Sequence, residues 1–255
     1  MVEAGRVAEH RELSASSIVL AVESATARAG VALLAGERVL AERRSDAGTH
    51  HSETLLPLID GLLGDARLAL DEVEGFAISI GPGAFTSLRI GLSTVKGLCF
   101  GSTLPVVAVP TLLGLASTAW RRGVVAASGV VVPVLDARRG EVYVAAYRRD
   151  PHDVMAGQER LPASVLDPEQ LASVLPEGGC LVGDGAEVVR AELDRLAPGR
   201  FEHVADGRVE PDAVVIGLLA LPDFRAGRGV DAATLVPRYV RRAEAEVLRT
   251  RKRFE

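Results

Sequence analysis

Apolar residues fall either into short continuous runs or into positions spaced three to four residues apart, and together these patterns predict a mixed α/β protein. The short runs are bounded by turn-forming residues, which is typical of buried strands. The spaced positions lie on one side of a helix. In the first half, the predicted strands are Ser17–Val22, Gly30–Leu34, Val39–Glu42, Phe76–Ile80 and Val106–Val109, and the predicted helices are residues 51–64, Thr86–Phe100 and Thr111–Arg122.

The second half opens with the same order of features as the first. Ile18–Val22 ends at the acid Glu23 and is followed by a turn and a second strand. Val130–Leu135 ends at the acid Asp136 and is followed in the same way, by Val142–Tyr147. An internal repeat of this kind predicts two duplicated RNase-H-like subdomains. The expected domains are an extension at 1–16, subdomains at 17–123 and 124–240, and a charged tail at 241–255.

Beyond Tyr147 the pattern is weaker but still predicts four elements. Asp167 and Pro168 are typical of the N-cap and first turn of a helix, which we expect to reach Leu175. Residues 180–183 predict a short strand that leads through Asp184-Gly185 into another helix, and residues 211–221 predict a last helix.

Composition indicates a soluble protein with a core built from aliphatic side chains. Hydrophobic residues make up 48% of the 255 residues and aromatic residues only 4%. The net charge of −5 argues against a protein that coats nucleic acid. Cys99 and Cys180 cannot form a disulfide framework, and no apolar run approaches the roughly 20 residues that span a bilayer. We therefore expect a cytoplasmic protein that does not contact membranes.

A glycine corner, Gly81-Pro82-Gly83, connects the strand Phe76–Ile80 to the following helix. Glycine permits backbone angles and close approaches that a side chain would block. The free N–H groups at a helix start can bind a phosphate. The corner lacks the Gly-Lys-Ser/Thr of a Walker A loop and the third glycine of a dinucleotide fingerprint. A phosphate site and a tight crossover both remain open.

Three motifs follow one another along the chain. Residues 51–59 read H-S-E-x-L-L-P-x-I, residues 81–91 read G-P-G-x-F-T-x-L-R-I-G, and residues 135–143 read L-D-A-R-x-G-E-V-Y. In this order they resemble the bacterial TsaB family, whose members are subunits of the machinery that makes threonylcarbamoyladenosine in tRNA. The resemblance runs from Ile18 to Tyr147, and residues 237–241 are similar to the family's ending.

The resemblance implies the actin/Hsp70/sugar-kinase fold and a noncatalytic dimerisation subunit that activates a TsaD-type transferase. It also implies a TsaE-type ATPase partner and contact with tRNA only through the complex. No tightly bound cofactor is expected, and ATP or ADP would bind only at the partner complex. Whether the free chain forms a homodimer stays open.

The sequence departs from the family at the candidate nucleotide loops. Glu23 stands where the family usually has Asp, and Ala84 and Ser87 stand where Ser and Gly are common. In kinases of this fold, acids at such turns organise metal and phosphate. No phosphate-binding lysine or catalytic base is evident nearby. We interpret the set as a vestigial nucleotide loop, consisting of Glu23, Ser24, Gly81, Gly83 and Asp136.

Histidine spacing argues against a metal centre. No two histidines lie four residues apart, the spacing that places two imidazoles on one helix face. Catalytic relatives in the superfamily carry an H-x-x-x-H motif in a helix after the glycine corner. The corresponding residues 111–120 contain neither histidine nor carboxylate. We therefore predict no metal site and no catalytic residue.

The predicted helices at 51–64 and 86–100 are the candidate partner interface. The first has an apolar arc of about 160°, wider than one core contact needs, and the second carries a continuous apolar stripe. His51-Ser52-Glu53 has a second reading, as a helix start with Ser52 as N-cap. The predicted interface residues are His51, Glu53, Leu55, Leu58, Ile59, Leu62 and Leu63 on the first helix, and Arg89, Leu92, Val95, Lys96 and Cys99 on the second.

Three alternatives belong to other functional classes. A sugar-type kinase would need a phosphate loop in each half, and only one glycine corner is evident. The chain could be the threonylcarbamoyl transferase itself, or a metalloprotease homologue, and the histidine-free helix argues against both.

Overall fold

The computed structural model describes residues 12–14, 16–126, 129–149, 157–204 and 209–240. Most of the predicted extension 1–16 and the whole predicted tail 241–255 lie outside these residues. The described residues form two five-stranded mixed sheets. The contacts divide it into unit 1, formed by residues 1–80, 84–114 and 211–236, and unit 2, formed by residues 81–83, 115–210 and 237–255.

Unit 1 holds the first sheet, in the order β3-β2-β1-β4-β5. β1 pairs antiparallel with β2 and parallel with β4. The strands are β1 (Ile18–Glu23), β2 (Gly30–Ala35), β3 (Arg38–Arg44), β4 (Gly75–Ser79) and β5 (Val106–Val109), and the helices are α1 (His51–Ala66) and α2 (Phe85–Leu98). All seven elements were predicted, with ends within a few residues.

Unit 2 holds the second sheet, in the order β10-β9-β6-β7-β8, which repeats the order of the first. β6 pairs antiparallel with β7 and parallel with β9, as β1 does with β2 and β4. The elements are α3 (Thr111–Arg121), β6 (Val130–Asp136), β7 (Val142–Arg149), β8 (Gly157–Leu166), α4 (Pro168–Val174), β9 (Gly179–Val182), α5 (Ala186–Leu196) and β10 (Phe201–His203). The first turn of α3 groups with unit 1 and the rest with unit 2. The repeated order confirms the predicted actin/Hsp70/sugar-kinase-like fold of two RNase-H-like halves.

Helices cover both faces of the first sheet, because side chains alternate across each strand. Leu20 and Val22 of β1 pack with α1 and α2. Val19 and Ala21 face the other side, where the last helix, α6 (Ala213–Arg225), covers the sheet. The sequence analysis assigned residues 211–236 to the C-terminal subdomain, whereas in the structure they group with unit 1.

The second core shows that local helix signals were correctly interpreted. Leu171 of α4 and Val189 and Leu193 of α5 are fully buried against the sheet. The Asp167 carboxylate accepts a hydrogen bond from the Gln170 N–H at 2.8 Å and caps α4, as predicted. No helix in the described ranges is both long enough and apolar enough to cross a bilayer.

Candidate functional site

The predicted interface residues of α1 divide between the core and the surface. Leu55, Ile59 and Leu62 are at most 3% exposed and pack into the core of unit 1. The free chain therefore buries these three residues itself. Glu53 is exposed, while Leu58 and Leu63 are half-buried at the edge of the same core.

The same division applies to α2. Leu92, Val95 and Cys99 are at most 6% exposed and belong to the core, so the continuous stripe predicted on α2 faces the protein's own sheet. Arg89 is exposed, and its guanidinium carbon lies 3.9 Å from the centre of the Phe85 ring. Lys96 is half-buried and donates a hydrogen bond to the Ala233 carbonyl at 3.1 Å.

Three large apolar side chains on the outer side of these helices were missed by the sequence analysis. Leu56 of α1 is 55% exposed, Phe85 of α2 is 38% exposed, and Phe100, just beyond α2, is 91% exposed. Hydrophobic spacing alone does not separate these exposed residues from the buried apolar residues of the same helices. We call Glu53, Leu56, Phe85, Arg89 and Phe100 the α1–α2 face.

His51 is a buried anchor at the start of α1 and not a surface residue. Its side chain is buried and interacts with the backbone of Thr26 and Thr49. Burial lowers the pKa of His51, and the two backbone interactions oppose this shift. The helix starts at His51 with His50 as N-cap, so the expected capping role of Ser52 is wrong; Ser52 lies exposed in the first turn.

Glu23 is the last residue of β1, and its side chain is buried: the residue is 1% exposed. Its Oε1 accepts a hydrogen bond from the Ala25 N–H at 2.6 Å, and its Oε2 has no hydrogen-bond partner among the described residues. Burial raises the pKa of Glu23 to about 7, although hydrogen bonds from Ser79 and Ala25 act in the opposite direction. Ser24 is also fully buried. A ligand in solvent therefore cannot reach either residue in this conformation.

Asp136 ends β6 in unit 2 and lies partly at the surface. Its carboxylate accepts a hydrogen bond from the Arg138 N–H at 2.7 Å and forms an ion pair with the Arg138 side chain at 3.2 Å. The Asp136 N–H donates to the Asp184 carboxylate at 3.1 Å. Burial raises the pKa of Asp184, while the hydrogen bond from Asp136 lowers it. The carboxylates of Asp136 and Asp184 therefore stabilise the turn that follows β6.

The glycine corner requires glycine at its first position. Gly81 has a φ of 111°, which side-chain-bearing residues rarely adopt, whereas Gly83 is not among the residues with positive φ. Gly81 and Pro82 are buried and Gly83 is half-buried. The geometry is that of a tight strand-to-helix crossover.

The described residues contain no cluster of three or more His, Cys, Asp or Glu side chains that could hold a metal ion. α3, at the position of the metal-binding helix of catalytic relatives, contains no His, Asp or Glu. Cys99 and Cys180 are free thiols whose pKa burial raises to about 11, which disfavours the reactive thiolate.

The fold and these sites define an actin-like protein whose strand-end acids are buried or occupied by their own turns. The family model described as "TsaD: tRNA N6-adenosine threonylcarbamoyltransferase" matches residues 44–172. A tRNA threonylcarbamoyladenosine biosynthesis protein TsaB from Haemophilus influenzae is 33% identical over 88% of this chain and 93% of its own length. The chain belongs to the TsaB family, which takes part in threonylcarbamoyladenosine biosynthesis.

Two further comparisons agree with this assignment. The TsaB protein of Escherichia coli is 35% identical, over 59% of this chain and 63% of its own length. YeaZ from Pseudomonas aeruginosa, a solved structure, superposes with a TM-score of 0.72 at 30% identity and covers 88% of this chain and 99% of its own.

Proposed function

We propose that this chain is a noncatalytic subunit that docks against a TsaD-type transferase through the α1–α2 face and holds it in an active arrangement. Names of similar proteins support the choice of partner, because TsaB proteins and tRNA N6-adenosine threonylcarbamoyltransferases both match this chain. A TsaE-type ATPase is the proposed third component. tRNA would be reached only through the complex.

The α1–α2 face carries this proposal. Aromatic and other large apolar side chains are enriched at protein–protein interfaces. Leu56, Phe85 and Phe100 lie on or beside two helices that pack against each other. Glu53 on α1 and Arg89 on α2 are exposed and carry opposite charges, so we also propose a self-complementary contact between two copies. The homodimer and the heterodimer would then compete for one surface.

The noncatalytic role rests on the strand-end acids and on α3. Glu23 is sealed from solvent, and Asp136 is engaged by Arg138. α3 offers no metal ligand. We accordingly propose that ATP or ADP binds only in the assembled complex.

Leu56→Glu tests the α1–α2 face. A charge at this half-exposed position leaves the core intact but is costly when a partner desolvates it. We expect unchanged thermal unfolding of the free chain and at least tenfold weaker binding to the TsaD-type partner. Co-purification and titration calorimetry would measure the binding, and a tRNA modification assay with the complete set of subunits would measure the consequence.

Val174→Glu is the matched control, because Val174 is similarly exposed, at 48%, but lies on α4 of unit 2. This variant should bind the partner like the wild type. Leu62→Glu is unsuitable as a test, because Leu62 is fully buried and the variant would lose its fold. Unaltered binding by a folded Leu56→Glu variant would exclude the α1–α2 face as the interface.

A further inference from the structure

The turn Ser24–Thr26 contacts the first residues of both helices that carry the α1–α2 face. The Ala25 carbonyl accepts a hydrogen bond at 2.8 Å from the N–H of Ala84, the N-cap of α2. The backbone of Thr26 interacts with His51, the first residue of α1. One turn therefore fixes the starting points of α1 and α2.

A second contact ties the same turn to the middle of α2. Ser24 lies against Gly91, where an added Cβ would overlap the Ser24 hydroxyl group. The contact leaves no room for the turn to move toward α2 without shifting the helix. A movement of the turn toward α2 must consequently shift the helix.

Glu23 stands at the base of this turn. Its Oε1 accepts a hydrogen bond from the Ala25 N–H at 2.6 Å. The carbonyl group of the same residue, Ala25, accepts the hydrogen bond from the N-cap of α2. Its Oε2 is buried without a partner, so the carboxyl group is tolerated in its neutral form and costly in its charged form. Burial therefore favours the neutral carboxyl group, although the hydrogen bond from the Ala25 N–H by itself favours the charged form.

The surroundings of Glu23 supply charges of both signs. Arg44 on β3 favours the charged carboxylate, and Asp212, the N-cap of α6, disfavours it. β4 contributes the Ser79 hydroxyl group, which also favours the charged form. β2 contributes the backbone of Gly30, paired with Glu23. On α1, burial lowers the pKa of His51 and so disfavours its charged form.

We propose that Glu23 and the turn Ser24–Thr26 form a proton-sensitive support for the α1–α2 face, so that ionisation of Glu23 weakens partner binding. This inference rests on the proposed function. When the carboxyl group is neutral, the turn and the first residues of α1 and α2 keep the arrangement described above. In the charged form, the unpartnered Oε2 favours a rearranged turn, and the hydrogen bond between Ala25 and Ala84 carries this change to the start of α2.

The direction of the effect follows from the carboxyl chemistry. Burial raises the pKa of Glu23 to about 7, so the group is mostly neutral at pH 6.5 and charged at pH 8.5. We expect the wild-type chain to bind the TsaD-type partner about fivefold or more weakly at pH 8.5 than at pH 6.5. Glu23→Gln keeps the shape and removes the charge, so it should bind equally at both pH values, apart from any pH dependence of the partner.

The experiment measures the dissociation constant of the partner complex at pH 6.5, 7.5 and 8.5 for the wild type, Glu23→Gln and Asp136→Asn. Asp136→Asn removes an acid from unit 2 and should retain the wild-type profile. The ratio between the wild type and Glu23→Gln cancels the titration of the partner. A constant ratio across the three pH values overturns the proton-sensitive support and leaves the docking proposal intact. Absence of binding by every chain at every pH overturns the proposed function as well.

A measurement on the free wild-type chain covers the case in which Glu23→Gln does not fold. The Ala84 amide resonance in a ¹⁵N NMR spectrum should shift with a midpoint near neutral pH, because its carbonyl acceptor, Ala25, is held by Glu23. An Ala84 resonance that does not respond between pH 6 and pH 8.5 would overturn the proposal.

Discussion

β1 of unit 1 and β6 of unit 2 occupy the same position in two sheets of the same strand order, yet their terminal acids lie in opposite surroundings. Glu23 is sealed in the core of unit 1, with one carboxylate oxygen unpartnered. Asp136 lies partly at the surface and is paired with Arg138. Duplication has thus repeated the strand order without repeating the chemistry at the strand ends. Function in this fold must be argued from each site separately.

The neighbouring parallel strand shows the same contrast. At the end of β4, the Ser79 hydroxyl group accepts a hydrogen bond from the Ser24 N–H at 3.5 Å, a long contact. Beyond β9, Asp184 accepts the Asp136 N–H at 3.1 Å. A neutral hydroxyl group supports the end of β1 where a carboxylate supports the end of β6. The acid at the end of β1 lies below a turn that contacts two helices, whereas the acid at the end of β6 lies in an acidic turn.

The largest effect is expected where β9 meets β6, in unit 2. Gly183 has a φ of 109°, and an added Cβ would overlap the Val134 carbonyl oxygen. Gly183→Ala combines backbone strain with overpacking and should reduce the free energy of unfolding by about 3 kcal/mol or more. Gly199→Ala is the control, since Gly199 has a φ of 72° but open space around it. If urea denaturation showed equal losses of unfolding free energy for Gly183→Ala and Gly199→Ala, the junction of β9 and β6 would not be tightly packed.

Removing the charge of Glu23 tests the other side of the comparison. The folded-state pKa of about 7 exceeds the unfolded value of 4.5, so ionisation destabilises the fold increasingly from pH 4.5 to pH 7 and by a constant amount above. Glu23→Gln should therefore stabilise the protein by up to about 3 kcal/mol at pH 8. At pH 4 the two chains should differ little. Urea denaturation at both pH values measures the free energy of unfolding. A Glu23→Gln variant less stable than the wild type at pH 8 would contradict the conclusion that the charged carboxylate destabilises the fold.

Gly91 tests how tightly the turn after Glu23 packs on α2. An alanine Cβ would overlap Ser24, so Gly91→Ala should destabilise the protein by about 1–2 kcal/mol despite the higher helix propensity of alanine. Gly97 lies on the same helix with no atom near its would-be Cβ. Gly97→Ala should stabilise it by up to about 1 kcal/mol. Thermal unfolding of both variants measures these changes. If Gly91→Ala also raised the unfolding temperature, the turn after Glu23 would not be tightly packed against α2.

The smallest effect is expected at the surface acid of unit 2. Asp136→Asn removes an ion pair whose Arg138 side chain is 86% exposed, and such pairs contribute little. The amide oxygen can still accept the Arg138 N–H. We expect a loss below about 1 kcal/mol in urea denaturation. A larger loss would mean that the acid of unit 2 is as structurally important as Glu23.

Periodicity located α1 and α2 but did not reveal which side of each faces the core. The wide apolar arc of α1 was interpreted as an interface, whereas Leu55, Ile59 and Leu62 fill the space above the chain's own sheet. Hydrophobic spacing defines a face of a helix, and only the three-dimensional neighbours decide what covers that face. Leu56 is apolar like the others, yet lies outside.

Long-range packing explains the other differences. β8 was not predicted, because most of its residues are exposed or half-exposed and so lack an apolar run. α6 was predicted as a helix, but its grouping with unit 1 depends on a contact that spans most of the chain. The repeated strand–acid–turn–strand pattern, by contrast, is local in sequence and was sufficient to predict two similar halves.

The position of α6 has a consequence for synthesis on the ribosome. β5, the last strand of the first sheet, ends at Val109, and the helix that closes one face of that sheet begins at Ala213. About 100 residues separate them, or roughly 5–20 s of elongation. Throughout that interval Val19, Ala21 and their neighbours have no covering helix. The half that emerges first is therefore completed last.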